Sequence, residues 1–425
     1  MDKNLEKTYI DILKEDLVPA LGCTEPIAIS YASAKAREVL GEMPDSIEIT
    51  CSGNIIKNVK AVIVPTTGNL KGIKVACILG AIAGDSSLKM EVLRNVKPKD
   101  VEEVKKLMNT DYCKIIPATS KANLYILVKM YKGNNSSEVE IVHSHTNIVL
   151  VKKNNDIIFQ KDYDENNFNK DYEDKKLLNI KDIYNFANTF NIDDLKELFD
   201  LQISCNNAIA EEGLKNNYGA CVGKTYLETN DKNDVKTLAI AYAAAGSDAR
   251  MNGCNMAVVT NSGSGNQGMA ILNPIYQYAK YLKVSKEKLY RALALANLIA
   301  IHQKFNIGKL SAFCGAVSAG SAAGAGIAYL YGATYEEICD TISNALATTS
   351  GIICDGAKSS CASKIAASVN CAILAFNMAM KKRKFLDGEG IVKSNVERTI
   401  DTVCTVAREG MKETDSVILR EMLKK

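Results

Sequence analysis

Residues 304–364 read KFNIGKLSAFCGAVSAGSAAGAGIAYLYGATYEEICDTISNALATTSGIICDGAKSSCASK. Small residues over 311–331 and an apolar face over 335–350 predict two helices, punctuated by Gly332 and Gly351. Cys354 and Cys361 follow, seven residues apart. On one continuous helix they would share a face but lie about 10 Å apart, too far for two ligands of one compact metal centre. Gly356 permits a turn that brings both sulfurs to one point, with Cys314 arriving from the earlier helix. Three thiolates so gathered suit zinc or an iron–sulfur cluster and leave one metal position open, as a catalytic site requires. The competing reading is three small buried hydrophobes, the usual role of a free cysteine, and spacing alone favours it.

Composition narrows the classes. A chain of 425 residues is long enough for two or more domains with sizeable cores. A formal charge of +3 with 24% charged residues gives no case for nucleic acid or an acidic partner, and 6% aromatics without Trp argue against base-stacking surfaces. The thirteen cysteines are odd in number and scattered, which points to a reducing cytoplasm rather than a secreted disulfide scaffold. The opening MDKNLEKTYIDILKED is too acidic and polar for a signal peptide. The uncharged run 310–335 is built of Ala, Gly and Ser, so its transfer energy is weak; no membrane span is expected.

Toward the N-terminus, Leu5, Ile10, Leu13 and Leu17 keep helical spacing. The segment LGCTEP (21–26) breaks that helix and starts another, with Thr24 as N-cap, Pro26 in the first turn and Gly41 at the end. Cys23 then lies just ahead of a helix N-terminus, where the dipole is expected to stabilise its thiolate and lower its pKa. From 45 to 155 the period changes: SIEITC, AVIVP, NLYILVKMY and VEIVHSHTNIVLVKK read as strands, with helices over 73–84 and 101–108. His143 and His145 would share a strand face, expected to be a polar sheet surface rather than a metal site. Residues 152–187, rich in Asn, Lys and Asp, read as an exposed hairpin arm and linker. Beyond them the pattern is helical over 192–213, 234–249, 274–282, 286–303, 311–331, 335–350, 361–380 and 395–411. The expected fold class is α+β: an α/β layered domain over 1–190 carrying Cys23, and a mostly helical domain over 191–425. Cys51, Cys77, Cys113, Cys205, Cys221, Cys254, Cys339, Cys371 and Cys404 sit mostly in apolar settings and are assigned to the core.

The stretch CNMAVVTNSGSGNQGMAIL (254–272) contains Gly263-x-Gly265-x-x-Gly268, the dinucleotide fingerprint, which raises an NAD-dependent dehydrogenase as a rival. Its context fails: no second strand with an acidic residue follows. The same loop offers Ser262, Ser264, Asn266 and Gln267 beside backbone N–H groups at a helix start, a nest suited to a substrate carboxylate. An ordinary Gly-rich turn is the competing reading.

Four motifs in this order, LGCTEP (21–26), SGSGNQG (262–268), KFNIGKLSAFCGA (304–316) and CDGAKSSC (354–361), span nearly the whole chain. Together they resemble the iron–sulfur L-cysteine desulfidases, cysteine desulfhydrases of the serine dehydratase α-chain type. The resemblance implies a serine dehydratase-like fold and a [4Fe–4S] cluster held by Cys314, Cys354 and Cys361, with Cys23 abstracting a proton rather than serving as a standing ligand. It implies α,β-elimination of L-cysteine in a homodimer; on that reaction Ser262, Ser264 and Asn266 are expected to hold the substrate carboxylate, with Thr24 adding a hydroxyl. The related serine dehydratases carry a Ser-His-Thr-like segment in place of Gly22-Cys23-Thr24; Cys23 favours the desulfidase branch. Their small regulatory domain and Pro-containing version of the CDGAKSSC loop are not evident, a departure that bears on the substrate. L-serine dehydratase is the closest enzymatic alternative. A zinc lyase on the same thiolates stays open, whereas no stretch places the lysine and phosphate cup of a pyridoxal phosphate enzyme. An iron–sulfur sensor would add a fourth cysteine ligand or a DNA-binding segment. Lys304, Lys309, Lys358 and Lys364 are candidate countercharges, and His302 is an alternative proton carrier.

Overall fold

The computed structural model describes residues 2–166, 173–308 and 310–424. Helix α1 (Lys3–Asp16) leads through β1 (Pro19–Leu21) into α2 (Thr24–Leu40), which stops on Gly41 at φ 91°. Then come β2 (Ser46–Cys51), α3 (Gly53–Val59), α4 (Ile73–Ala83), α5 (Pro98–Leu107), β3 (Cys113–Pro117), β4 (Tyr125–Lys132), β5 (Asn135–Val142), β6 (Ile148–Lys153) and β7 (Asp156–Gln160). The six strands β2–β7 form one mixed sheet in the order β3-β2-β4-β5-β6-β7, with only β2 and β3 parallel. Period-2 alternation puts Ile47, Ile49, Ile126 and Val128 on the buried face, and α2 packs on β4, β5 and β6.

Two local expectations fail here. AVIVP makes a single bridge, Ile63 with Lys71, because its Val62 and Val64 are buried without a strand partner. His143 and His145 sit in the turn between β5 and β6, not on a shared strand face, and His143 adopts φ 65°. Of the expected arm over 152–187, β7 is exposed, but α6 (Ile180–Thr189) is amphipathic and buries Ile180, Ile183 and Phe186. Residues 167–172 of that arm, and Lys309, lie outside the described residues.

The rest is helical: α7 (Lys196–Lys215), α8 (Val222–Thr229), α9 (Val235–Met251), a short β8 (Ala257–Val259), α10 (Gly265–Leu282), α11 (Lys286–Phe305), α12 (Gly315–Leu330), α13 (Tyr335–Thr349), α14 (Cys361–Met380), α15 (Val396–Thr405) and α16 (Lys412–Leu423). Helix α10 begins at Gly265, ahead of the helical pattern expected from 274, and runs through Pro274. Burial of Met269, Ile271, Leu272 and Ile275 outweighs the one missing N–H bond. Because β8 pairs antiparallel with β1 and belongs to no βαβ unit, the glycine fingerprint has no dinucleotide fold around it.

The Ala- and Gly-rich α12 packs against α10, α11, α13 and α14 at the centre of the helical core. That core also takes in Tyr9 and Leu13 of α1 and the stacked rings of Phe186 and Phe190. A second core lies beneath the sheet and includes Leu310, just ahead of Cys314. Helix α14 is long and apolar enough to cross a membrane, and it is packed against α9, α12 and α13. Of the cysteines assigned to the core, Cys51, Cys77, Cys113, Cys254 and Cys404 are buried, and Cys205, Cys221, Cys339 and Cys371 are partly exposed.

Candidate active site

Two loops that each open a helix leave one short ribbon, in which Pro19 pairs with Val259 and Leu21 with Ala257. One carries Cys23 into α2. In the other, Asn261 and Ser264 exchange backbone hydrogen bonds of 3.1 and 3.0 Å around Ser262 and Gly263, both at positive φ, a primed two-residue turn that feeds α10. A second pairing joins the cysteine segments: Phe313 bridges Ile353, Cys314 N donates to Ile352 O at 3.1 Å and Cys354 N to Ala312 O at 2.6 Å. Alternation across this antiparallel bridge puts Cys314 and Cys354 on the same face as diagonal neighbours, with Cα atoms about 7 Å apart. Gly356, at φ 97°, then turns the chain back so that Cys361 opens α14. A Cβ at Gly356 would fall 2.5 Å from the Lys57 carbonyl oxygen, so the loop lies on α3 only with glycine there.

These segments line one cavity of about 100 Å³, which Cys23, Thr24, Ser262, Ser264, Asn266, Cys314, Cys354 and Cys361 all face. It has room for several waters or one small metabolite. Helices α2, α10, α12 and α14 all start at its wall, and the residues at their cap positions, Cys23, Ser264, Cys314 and Ser360, make no side-chain capping hydrogen bond. Unsatisfied N–H groups and four positive dipole ends therefore converge, a surface that favours anions.

Burial pushes the Cys314 thiol up to about 12, with the nearby Cys354 adding to it, and raises Cys361 as well. A bound cation would be needed to draw those protons off. Among the described residues no group of three His, Cys, Asp or Glu side chains that could hold a metal ion is found. The donor set is nonetheless all sulfur, the chemistry that suits an iron–sulfur cluster, and uncapped helix starts stabilise the thiolates such a cluster needs. Lys304 is buried in the cavity wall, where burial lowers its pKa against the pull of Cys354 and Cys314. Lys358 and Lys364 pair with Asp355. His302 pairs with Glu397 at 2.7 Å and does not line the cavity.

The expected lowering of the Cys23 pKa is corrected. Burial raises this thiol, and the Glu25 carboxylate raises it further, outweighing the helix start and the counteracting Arg250. The cap position is Cys23 itself rather than Thr24. Cys23 Sγ donates to Glu25 Oε2 at 3.0 Å, and Thr24 Oγ1 donates to the same oxygen at 3.1 Å instead of into the cavity. Asn58 Nδ2 donates to Glu25 Oε1 at 3.1 Å, and His145 Nε2 stands 3.9 Å from it, an ion-pair distance. Burial acts to raise the Glu25 carboxyl, but His145 and the Cys23 thiol more than offset it and hold the group well below the usual carboxylate range.

Asn58 Oδ1, His145 Nε2, Asn266 Oδ1, Gln267 Oε1 and both Nε and Nη2 of Arg250 are buried without hydrogen-bond partners, and all belong to this cavity wall. An orphan buried polar atom costs about 1–3 kcal/mol, so their concentration in one place marks a surface built for a polar ligand. Sequence reasoning missed Glu25, Asn58, His145 and Arg250. Glu25 stood inside the LGCTEP motif, and Arg250 ends an Ala-rich run, AIAYAAAGSDAR (239–250), whose composition favours burial. Asn58 left no signal, and His145 was placed on a strand.

The chain matches the family described as serine dehydratase alpha chain over residues 87–420, a span that includes the α10 turn, Cys314, Cys354 and Cys361 but begins beyond Cys23. It is 53% identical over 419 residues to a UPF0597 protein of Lachnoclostridium phytofermentans, covering 98% of this chain and 99% of that one. A UPF0597 protein of Treponema denticola is 45% identical over 428 residues, covering 100% and 99%. One from Fusobacterium nucleatum is 43% identical over 428 residues, covering 100% of both.

Proposed function

The chain belongs to the serine dehydratase alpha chain family of dehydratase-like lyases, and from that premise we propose that it eliminates sulfide from L-cysteine, giving pyruvate, ammonia and hydrogen sulfide. The observation that carries this reading is that Cys23 and the three cysteines Cys314, Cys354 and Cys361 face one small cavity beside an anion-favouring helix start. Cys314, Cys354 and Cys361 would hold a [4Fe–4S] cluster. Bound there, it supplies a Lewis-acidic iron without a protein ligand for the departing sulfur.

The chain's own residues do the rest. The turn at Ser262–Ser264 and the first turn of α10 hold the substrate carboxylate. The Cys23 thiolate takes the proton from Cα, and the thiol so formed donates to Glu25 along the 3.0 Å hydrogen bond. A thiol with a raised pKa gives a thiolate that is a stronger base, which suits the weakly acidic Cα–H. The Cα–H electron pair forms the Cα=Cβ bond as the Cβ–S bond breaks and sulfide leaves. The aminoacrylate tautomerises to an imine, which water hydrolyses to pyruvate and ammonia. Asn58 and His145 keep Glu25 charged and oriented to accept that hydrogen bond.

The family description favours a second reading, L-serine dehydration on the same residues. The test is anaerobic purification with iron and sulfide analysis, then incubation with L-cysteine and L-serine. Brown protein that forms sulfide and pyruvate in equal amounts from L-cysteine is expected, with colourless, iron-free protein for Cys354→Ala. Pyruvate from L-serine alone would assign the dehydratase. Iron-loaded protein inactive on both would refute the lyase reading.

A further inference from the structure

Arg250 is a buried charge to which the elimination steps give no role. It is the penultimate residue of α9 and 2% exposed, and its Nε and Nη2 have no hydrogen-bond partner. A guanidinium cannot shed its charge, so leaving it buried without a counter-ion is strongly unfavourable. The side chain lies along the first turn of α10: a Cβ at Gly265 would sit 2.5 Å from Arg250 Nε and 2.9 Å from its Cζ. Glycine at 265 is what lets the guanidinium reach the uncapped start of that helix. Two positive ends, the helix's and the arginine's, thus meet on one wall of the cavity and repel each other unless an anion lies between them. In the same turn Asn266 Oδ1 and Gln267 Oε1 are buried acceptors without donors. The wall therefore pairs an unmet demand for an anion with an unmet demand for hydrogen-bond donors. A zwitterion meets both.

We infer that Arg250 is the specificity-determining residue of this cavity: its guanidinium and the N–H groups opening α10 bind the α-carboxylate of a small α-amino acid, while the Asn266 and Gln267 side-chain oxygens accept from its ammonium. The inference deepens the lyase reading and rests on it for the reaction, but not for the binding. Carboxylate recognition by arginine is bidentate and charge-assisted, so lysine cannot replace it fully.

The test separates binding from turnover by calorimetry on anaerobic, iron-loaded protein. L-alanine has no leaving group and L-alaninamide no carboxylate. Wild type is expected to bind L-alanine at least about 10-fold more tightly than the amide. Arg250→Met, which keeps length and removes charge, weakens L-alanine by roughly 10- to 150-fold and leaves the amide and the iron content unchanged. Arg250→Lys falls between, and decides the matter alone should the methionine variant not fold. Equal binding of acid and amide by wild type, or an undiminished preference in either variant, overturns the inference. So does loss of iron from Arg250→Met, which would make the guanidinium the partner of the cluster's charge instead. If the preference is found but neither L-cysteine nor L-serine yields product, the lyase reading falls and carboxylate recognition stands; turnover without the preference gives the reverse.

Discussion

Glu25→Gln tests the hydrogen-bonded network that sequence reasoning missed. Glu25 is 8% exposed and accepts three hydrogen bonds, from Cys23 Sγ at 3.0 Å, Thr24 Oγ1 at 3.1 Å and Asn58 Nδ2 at 3.1 Å. Glutamine keeps one acceptor oxygen and turns an NH₂ toward groups that donate. Kept at the position of Oε2, that oxygen still accepts from Cys23 and Thr24, so one bond to a charged acceptor, the one from Asn58, roughly 1.5–3 kcal/mol, is lost; relief from burying an ionised group returns part of that, leaving a destabilisation of about 1–2 kcal/mol. In the reaction Cys23 loses the carboxylate that makes its thiolate a strong base, and a weakened general base lowers kcat by about 100-fold with KM little changed. The pH dependence carries a sign. The carboxyl of Glu25 is held below its ordinary value, so its stabilisation is fully present above about pH 4.3 and is lost as pH falls through the folded-state value. The stability gap between wild type and Glu25→Gln should therefore narrow in acid. Denaturant unfolding at several pH values and steady-state sulfide release measure the two legs. A gap that widens below pH 4, or a kcat within about threefold of wild type, would refute the reasoning.

Lys57 is 2% exposed; its Nζ donates to the Cys354 carbonyl oxygen at 3.3 Å and pairs with Asp415 of α16, whose side chain is 18% exposed. Asp415→Asn leaves a buried ammonium unpaired, whereas Lys57→Met leaves a carboxylate that reaches solvent, so the first should destabilise by about 3 kcal/mol and the second by less. Thermal unfolding giving the opposite order would reject the argument, and iron should be stripped by chelator faster from Lys57→Met than from wild type. Gly356→Ala forces a Cβ to 2.5 Å from the Lys57 carbonyl at φ 97°, so a loss of about 2 kcal/mol or more and a lowered iron content are expected; wild-type stability would show that the loop has room to shift.

The sequence by itself determined what depends on neighbours along the chain. Alternation fixed β2 and β4 and marked 139–153 as extended without finding the turn that divides β5 from β6; helical spacing fixed α4, α7, α9 and most of the later helices, and the glycines at 41, 332 and 351 marked where helices end. The same local reasoning put a turn at Gly356, and the four motifs carried the family resemblance. Tertiary structure decided what depends on burial. Whether Cys23 is a thiol or a thiolate turns on desolvation and on Glu25, and these outweigh the helix dipole that sequence spacing reveals. Asn58, His145 and Arg250 come from three separate elements and meet only when the sheet and the helices close over one cavity. No periodicity records that meeting, because a hydrophobic pattern encodes which face is buried and not which buried polar atoms are left without partners.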